Sequence, residues 1–171
     1  MYDVFFAKRE INNGLKLFSM NELIFTINEI TKFGLESNLS VAERDKSLEK
    51  SLIKIYSLYF EIVFQDDKNN YPDYNRLELT DIRQNIESNF SNFGFYKTIL
   101  AIEDIYNLED VCAMGDAIED LSDIISDLLE IKWRIENNGL DDGLWFFQLI
   151  FYAHTQQHII NLLNYMKQMS K

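Results

Sequence analysis

The only two histidines of the chain, His154 and His158, stand four residues apart. On a helix that spacing puts both imidazoles on one face, the arrangement by which two histidines bind a single metal ion. They continue an apolar line, Phe147, Phe151, His154, His158, Leu162 and Tyr165, at steps of four or three, which points them inward. Upstream, Asp116, Asp120, Asp123 and Asp127 recur at steps of four, three and four beside an apolar seam. Two imidazoles with one or two carboxylates make an acceptable inner shell for zinc, manganese or iron. The candidate ligands are therefore His154, His158, Asp123, Asp127 and Asp120, and Glu61 or Glu29 could add an oxygen from elsewhere in the fold. A metal-free arrangement uses the same residues: inward histidines pair with aspartates so that each satisfies the other's hydrogen bonds, and the remaining acids form a solvated face. The ferritin-like di-iron pattern is absent, because the positions three before the histidines are Phe151 and Thr155 rather than glutamate.

These side chains can meet only if the elements carrying them are neighbours. The spacing predicts one helix over about 115–136, a stop at Asn137-Asn138-Gly139, and a second helix capped by Asp141 and running to about 167. A connection of some four residues forces two such helices to lie antiparallel and adjacent. Folding the pair about residue 140 brings His158 level with 121–122 and His154 level with 125–126, beside Asp120, Asp123 and Asp127. The seam between the helices is read as Ala117, Leu121, Ile124, Leu128, Ile131 and Ile135 against Trp145, Leu149, Tyr152, Ile159, Leu163 and Met166. Nearer the N-terminus, Ser19 with Glu22 and Ser40 with Glu43 have capping-box spacing. They predict helices ending near Gly34 and, for the longer one, near Phe64, the latter with a stripe over Leu48, Leu52, Ile55, Tyr59, Ile62 and Val63. Thr80 starts a short helix to about Phe90, while 95–108 fits helix and strand equally. The expected fold class is all-α, an antiparallel helical bundle with a C-terminal helical hairpin, formed by residues 1–171 as a single helical domain.

Composition narrows the function. With 16 Lys and Arg against 28 Asp and Glu, the formal charge is −12, which repels a phosphate backbone and argues against nucleic acid. A basic protein is the partner this charge suits. Hydrophobic residues make up 47% of the 171, enough for a substantial core, and one proline with six glycines leaves long helices uninterrupted. Six scattered glycines also form no phosphate loop. Residues 143–166 carry no Asp, Glu, Lys or Arg, yet Gln148, His154, Gln156, Gln157, His158, Asn161 and Asn164 are too polar for a bilayer, so no membrane partner is expected. The first nine residues lack a signal-peptide pattern, and a cytoplasmic setting is expected. The sequons at Asn38 and Asn89 are then chance matches, and the lone Cys112 reads as a structural residue rather than a nucleophile. Lys46, Lys50 and Lys54, interleaved with Glu43 and Glu49, read as a solvated face.

The run from Gly115 through Asp116, Asp120 and Asp123 to Ile124, followed by Trp145, His154 and His158, resembles an uncharacterised family of small bacterial helical domains. That family has a Trp-Gly pair between its histidines where this chain has Thr155 and Gln156. The resemblance implies a helical domain and carries no assigned activity. No nucleophile–base pair, cofactor loop or complete metal motif is present, so the sequence favours a non-enzymatic binding or interaction module with no cofactor. The alternative is a metal-dependent hydrolase or oxidase using His154, His158 and Asp123 or Asp127 with a divalent zinc, manganese or iron ion.

Overall fold

The computed structural model of the chain describes residues 20–63, 69–74, 80–99 and 112–169. Within them, α1 covers 20–35, α2 Arg44–Glu61 and α3 Thr80–Asn89. Strands β1 (Phe95–Ile99) and β2 (Cys112–Asp116) follow, then α4 (Ala117–Asn137), α5 (Leu140–Ile150), one π-helical turn at Phe151–Thr155, and α6 (Gln156–Met169). The architecture is a mainly helical bundle with a C-terminal helical hairpin, to which a two-stranded antiparallel sheet is added. Helix α4 packs along α5 and α6 on one side and against α3 on another, and α2 lies on α6. Hydrogen bonds from Asn85 and Asn89 to the carbonyls of Gly34 and Phe33 tie α3 to the end of α1.

A continuous apolar core joins Leu23, Ile27, Ile30 and Phe33 of α1 to Leu48, Leu52, Ile55 and Leu58 of α2 and to Leu121, Ile124, Leu128 and Ile131 of α4. Against these, the C-terminal arm contributes Leu144, Phe147, Phe151, Ile159, Leu162 and Met166. This corrects the seam expected for that arm, because Trp145, Leu149 and Tyr152 are 37%, 50% and 75% exposed. Residues 144–152 are apolar on nearly every face, so steps of four and three select no single stripe there. The π turn supplies the rest of the reason. Apolar steps of four drift around a 3.6-residue helix, and one wider turn resets the phase so that Phe147, Thr155 and Ile159 all face the core.

Several boundaries also move. The segment at 115–116 is strand, and α4 begins at Ala117 because Asp116 caps it, its Oδ1 accepting from the Ile118 amide at 2.9 Å. The expected caps Ser40 and Asp141 do not form. Instead, α2 follows Glu43 in a left-handed conformation at φ 50°, and α5 follows Gly139 at φ 111°. At that reversal the amides of Asn138 and Gly139 both donate to the Arg134 carbonyl, at 2.8 and 3.0 Å. Asp142 lies beneath, where its carboxylate takes Arg134 Nη1 at 3.1 Å while Glu130 takes Nη2 at 2.9 Å, with all three side chains under 10% exposed. Helix α2 ends at Glu61, short of residue 64, and Val63 is 78% exposed. Of the ambiguous stretch 95–108, Phe95–Ile99 is strand, and the remainder lies outside the described residues, as do residue 19 and the Cys112 side chain. Asn89 is buried, with its amide nitrogen donating to Phe33 and Glu36, so its sequon is closed to glycosylation in the folded chain.

Two stability results follow. Arg134→Ala removes the buried cation that Glu130 and Asp142 share and should cost about 3–5 kcal/mol in urea unfolding. Leu128→Ala in the seam should cost about 2–5 kcal/mol, whereas Leu149→Ala at the exposed position should stay within about 0.5 kcal/mol of the parent.

Candidate metal centre

The site is built where α4 passes the π turn and α6. Asp120, Asp123 and Asp127 project from successive turns of α4, and His154 and His158 project from the π turn and the first turn of α6. The fold about residue 140 brings both histidines level with Asp120, Asp123 and Asp127, as the sequence predicts, and the structure pairs His154 with Asp127 and His158 with Asp120. His154 Nδ1 lies 2.8 Å from Asp127 Oδ2, and His158 Nδ1 lies 2.8 Å from Asp120 Oδ1. An ionised carboxylate only accepts, so each Nδ1 carries a proton, and an imidazole in its neutral form then presents its lone pair at Nε2. Those two Nε2 atoms face one another at 3.2 Å. Asp123 Oδ2 approaches His158 Nε2 at 3.6 Å, and one ligand atom from each of Asp123, His154 and His158 lies within 4.8 Å of the others.

The five sequence candidates thus divide into two sets. Asp123, His154 and His158 bring one ligand atom each within 4.8 Å of the others, whereas Asp120 and Asp127 stand behind the imidazoles and hold their Nδ1 atoms. Carboxylates in that outer position raise the basicity of a ligating histidine. Burial follows the same division: the side chains of Asp127 and Asp120 are 1% and 7% exposed, against 43% for His154 and 38% for Asp123. The histidines therefore lie at the edge of the apolar face rather than within it. Asp116 is elsewhere, held by Arg83 Nη2 at 2.7 Å. Glu61 accepts from Ser57 and Glu29 from Lys32, so neither reaches the site.

Two hydroxyls complete the outer layer, and sequence reasoning missed both. Thr155 Oγ donates to Asp127 Oδ2 at 2.7 Å, and the Tyr96 hydroxyl of β1 donates to Asp120 Oδ2. Thr155 is adjacent to His154, and two adjacent residues reach one carboxylate because the π turn widens the backbone there. A buried carboxylate expected on an apolar face could have prompted a search for such donors, but nothing near Tyr96 in sequence points to α4.

No family model matches the chain, and no curated protein matches it. Among solved structures, the crystal structure of protein BF1032 from Bacteroides fragilis is similar, with a TM-score of 0.65 at 15% identity over 90% of each chain. That likeness shows a shared fold.

The hydrogen bond to Asp120 holds the His158 pKa above the usual histidine value; burial opposes this, and the charges of Asp123, Asp120 and Asp127 reinforce it. A folded pKa above the unfolded value of about 6.5 gives stability that is complete below 6.5 and is lost as pH rises through the folded value. In chelator-treated protein, the urea midpoint of the parent should exceed that of His158→Gln most at pH 5.5, with the gap narrowing towards pH 8.5. A gap that widens with pH would contradict this assignment.

Proposed function

We propose that this protein binds one divalent metal ion, zinc foremost, through His154 Nε2, His158 Nε2 and a carboxylate oxygen of Asp123. The observation that carries the proposal is the approach of two imidazole Nε2 lone pairs, each fixed by a carboxylate at its far nitrogen. At 3.2 Å the two Nε2 atoms share a proton when one ring is charged, and when both rings are neutral a metal ion between them takes the place of that proton. An ion held about 2.05 Å from two nitrogens at the tetrahedral angle sets them about 3.3 Å apart, close to the spacing here. Three carboxylates around two neutral imidazoles also leave the cluster negative enough to favour a doubly charged ion.

A third ligand from Asp123 leaves one position of a four-coordinate ion to water, on the side where His154 and Asp123 are exposed. That open position is the arrangement in which zinc lowers the pKa of its bound water and makes it a nucleophile, so the reaction class supported is metal-dependent hydrolysis. Manganese and iron suit the same donors. Among the described residues no helix is long and apolar enough to cross a membrane. The charge of −12 supports a basic protein as partner in preference to nucleic acid.

Elemental analysis of the full chain purified without added metal, followed by zinc titration against a chromophoric chelator, tests the proposal. One equivalent should bind, and His154→Gln or Asp123→Asn should weaken binding by more than about 100-fold, beyond the loss typical of an outer partner. Because ligating histidines must be deprotonated, affinity should fall as pH drops below neutrality. With zinc present, the parent's stability advantage over His154→Gln should therefore grow towards pH 8. No stoichiometric binding, or binding indifferent to both substitutions, would refute the proposal.

A further inference from the structure

The β hairpin reaches the metal centre through one hydroxyl. Tyr96 lies 24 residues before Asp120 in sequence, and its hydroxyl donates to Asp120 Oδ2 while Asp120 Oδ1 takes His158 Nδ1 at 2.8 Å. With a donor on each oxygen, the carboxylate plane cannot rotate without breaking one bond, and so Oδ1 stays aimed at the imidazole. The ring carrying that hydroxyl is itself fixed. Tyr96 pairs with Gly115 across the sheet and covers it, so that a Cβ at 115 would overlap the ring, and Tyr165 packs beside it with centroids 5.5 Å apart. The hairpin in turn is tied to α4, since β2 runs directly into the helix and the Ala117 amide donates to the Gly94 carbonyl at 3.1 Å. The carboxylate behind His154, Asp127, is instead supported by Thr155 from the same turn as the histidine.

We infer that Tyr96 is a positioning residue for His158, acting through Asp120, and that the β1–β2 hairpin is an outer part of the metal centre. The consequence for metal affinity rests on the proposed metal-binding reading, whereas the orientation of His158 does not. Removing the hydroxyl leaves Asp120 Oδ2 buried without this donor and frees the carboxylate to turn, so His158 loses its fixed direction while His154 keeps its own.

The test compares the full chain with Tyr96→Phe, which keeps the ring over Gly115 and against Tyr165. In chelator-treated protein, the imidazole N–H signals are observed by 15N-resolved NMR. Loss of the hydroxyl should shift the His158 Nδ1–H signal and speed its exchange with water, and should leave the His154 signal in place. Zinc affinity, by chelator competition, should fall about 10–100-fold, as for other outer partners of a ligating histidine. Gly115→Ala, which displaces the ring, should reproduce both effects, and Lys97→Ala, on the exposed side of β1, should produce neither. An unchanged His158 signal, or equal changes at both histidines, would overturn the inference, as would a shifted signal with zinc affinity within twofold of the parent. A parent chain that binds no zinc refutes the metal reading instead, and the NMR comparison then decides the positioning role by itself.

Discussion

Two carboxylates taken out of water set the terms for the rest of the site. Asp120 and Asp127 sit on the core side of α4, about one and three turns into a helix whose apolar residues alternate around them, and a buried carboxylate without partners is among the most costly groups a fold can hold. Among the described residues each accepts from one imidazole N–H and one hydroxyl. The hydroxyls of Thr155 and Tyr96 bring no charge of their own, so they leave the cluster its attraction for a cation. The hydrogen bonds at Nδ1 also decide where the imidazole lone pairs go, which turns a structural requirement into a directed pair of ligand atoms.

The precision of that pairing depends on a lock some distance away. Arg134, bound to Glu130 and Asp142 and lying 4.3 Å over the Phe146 ring, fixes where α4 hands over to α5. Gly139 makes the reversal in a backbone conformation that side chains rarely adopt. With the register of the two arms set at the turn, residues fifteen to twenty positions further along meet at a defined level. The π turn then makes the local adjustment: it keeps Phe147 and Phe151 on the core, brings Thr155 inward, and turns His154 to the rim. Rigid helices supply the scaffold and one irregular turn supplies the aim.

The acidic surface and the apolar interior act together at this rim. His154 and Asp123 are partly exposed while the atoms that orient the histidines are shielded, so solvent reaches the ligand side of the imidazoles and is kept from the other. Under the proposed reading, an ion there would exchange some of its water for two nitrogens and one oxygen without disturbing the core. The same placement leaves a coordination position facing outward, which is what separates a site able to act on a substrate from one that only holds a fold together.

Sequence by itself determined the two arms of the C-terminal hairpin and the level at which they meet, but not the β1–β2 pair. The spacing of His154 and His158, the acids at steps of four and three, and the break at Asn137-Asn138-Gly139 fix which side chains come together, because helix rise and a short connection leave one antiparallel register. Local periodicity could not decide the faces of residues 144–152, which are apolar all round, nor foresee that an extra residue in one turn would bury Thr155 and expose Tyr152. It also could not divide the acids into those that ligate and those that orient. That division depends on which oxygen of which carboxylate meets Nδ1, a matter of angstroms set by packing. The contribution of Tyr96 lay further still from view, since a contact between a strand and a helix 24 residues on leaves no trace in any local spacing. Long-range pairing of that kind is decided only when the chain closes around its core.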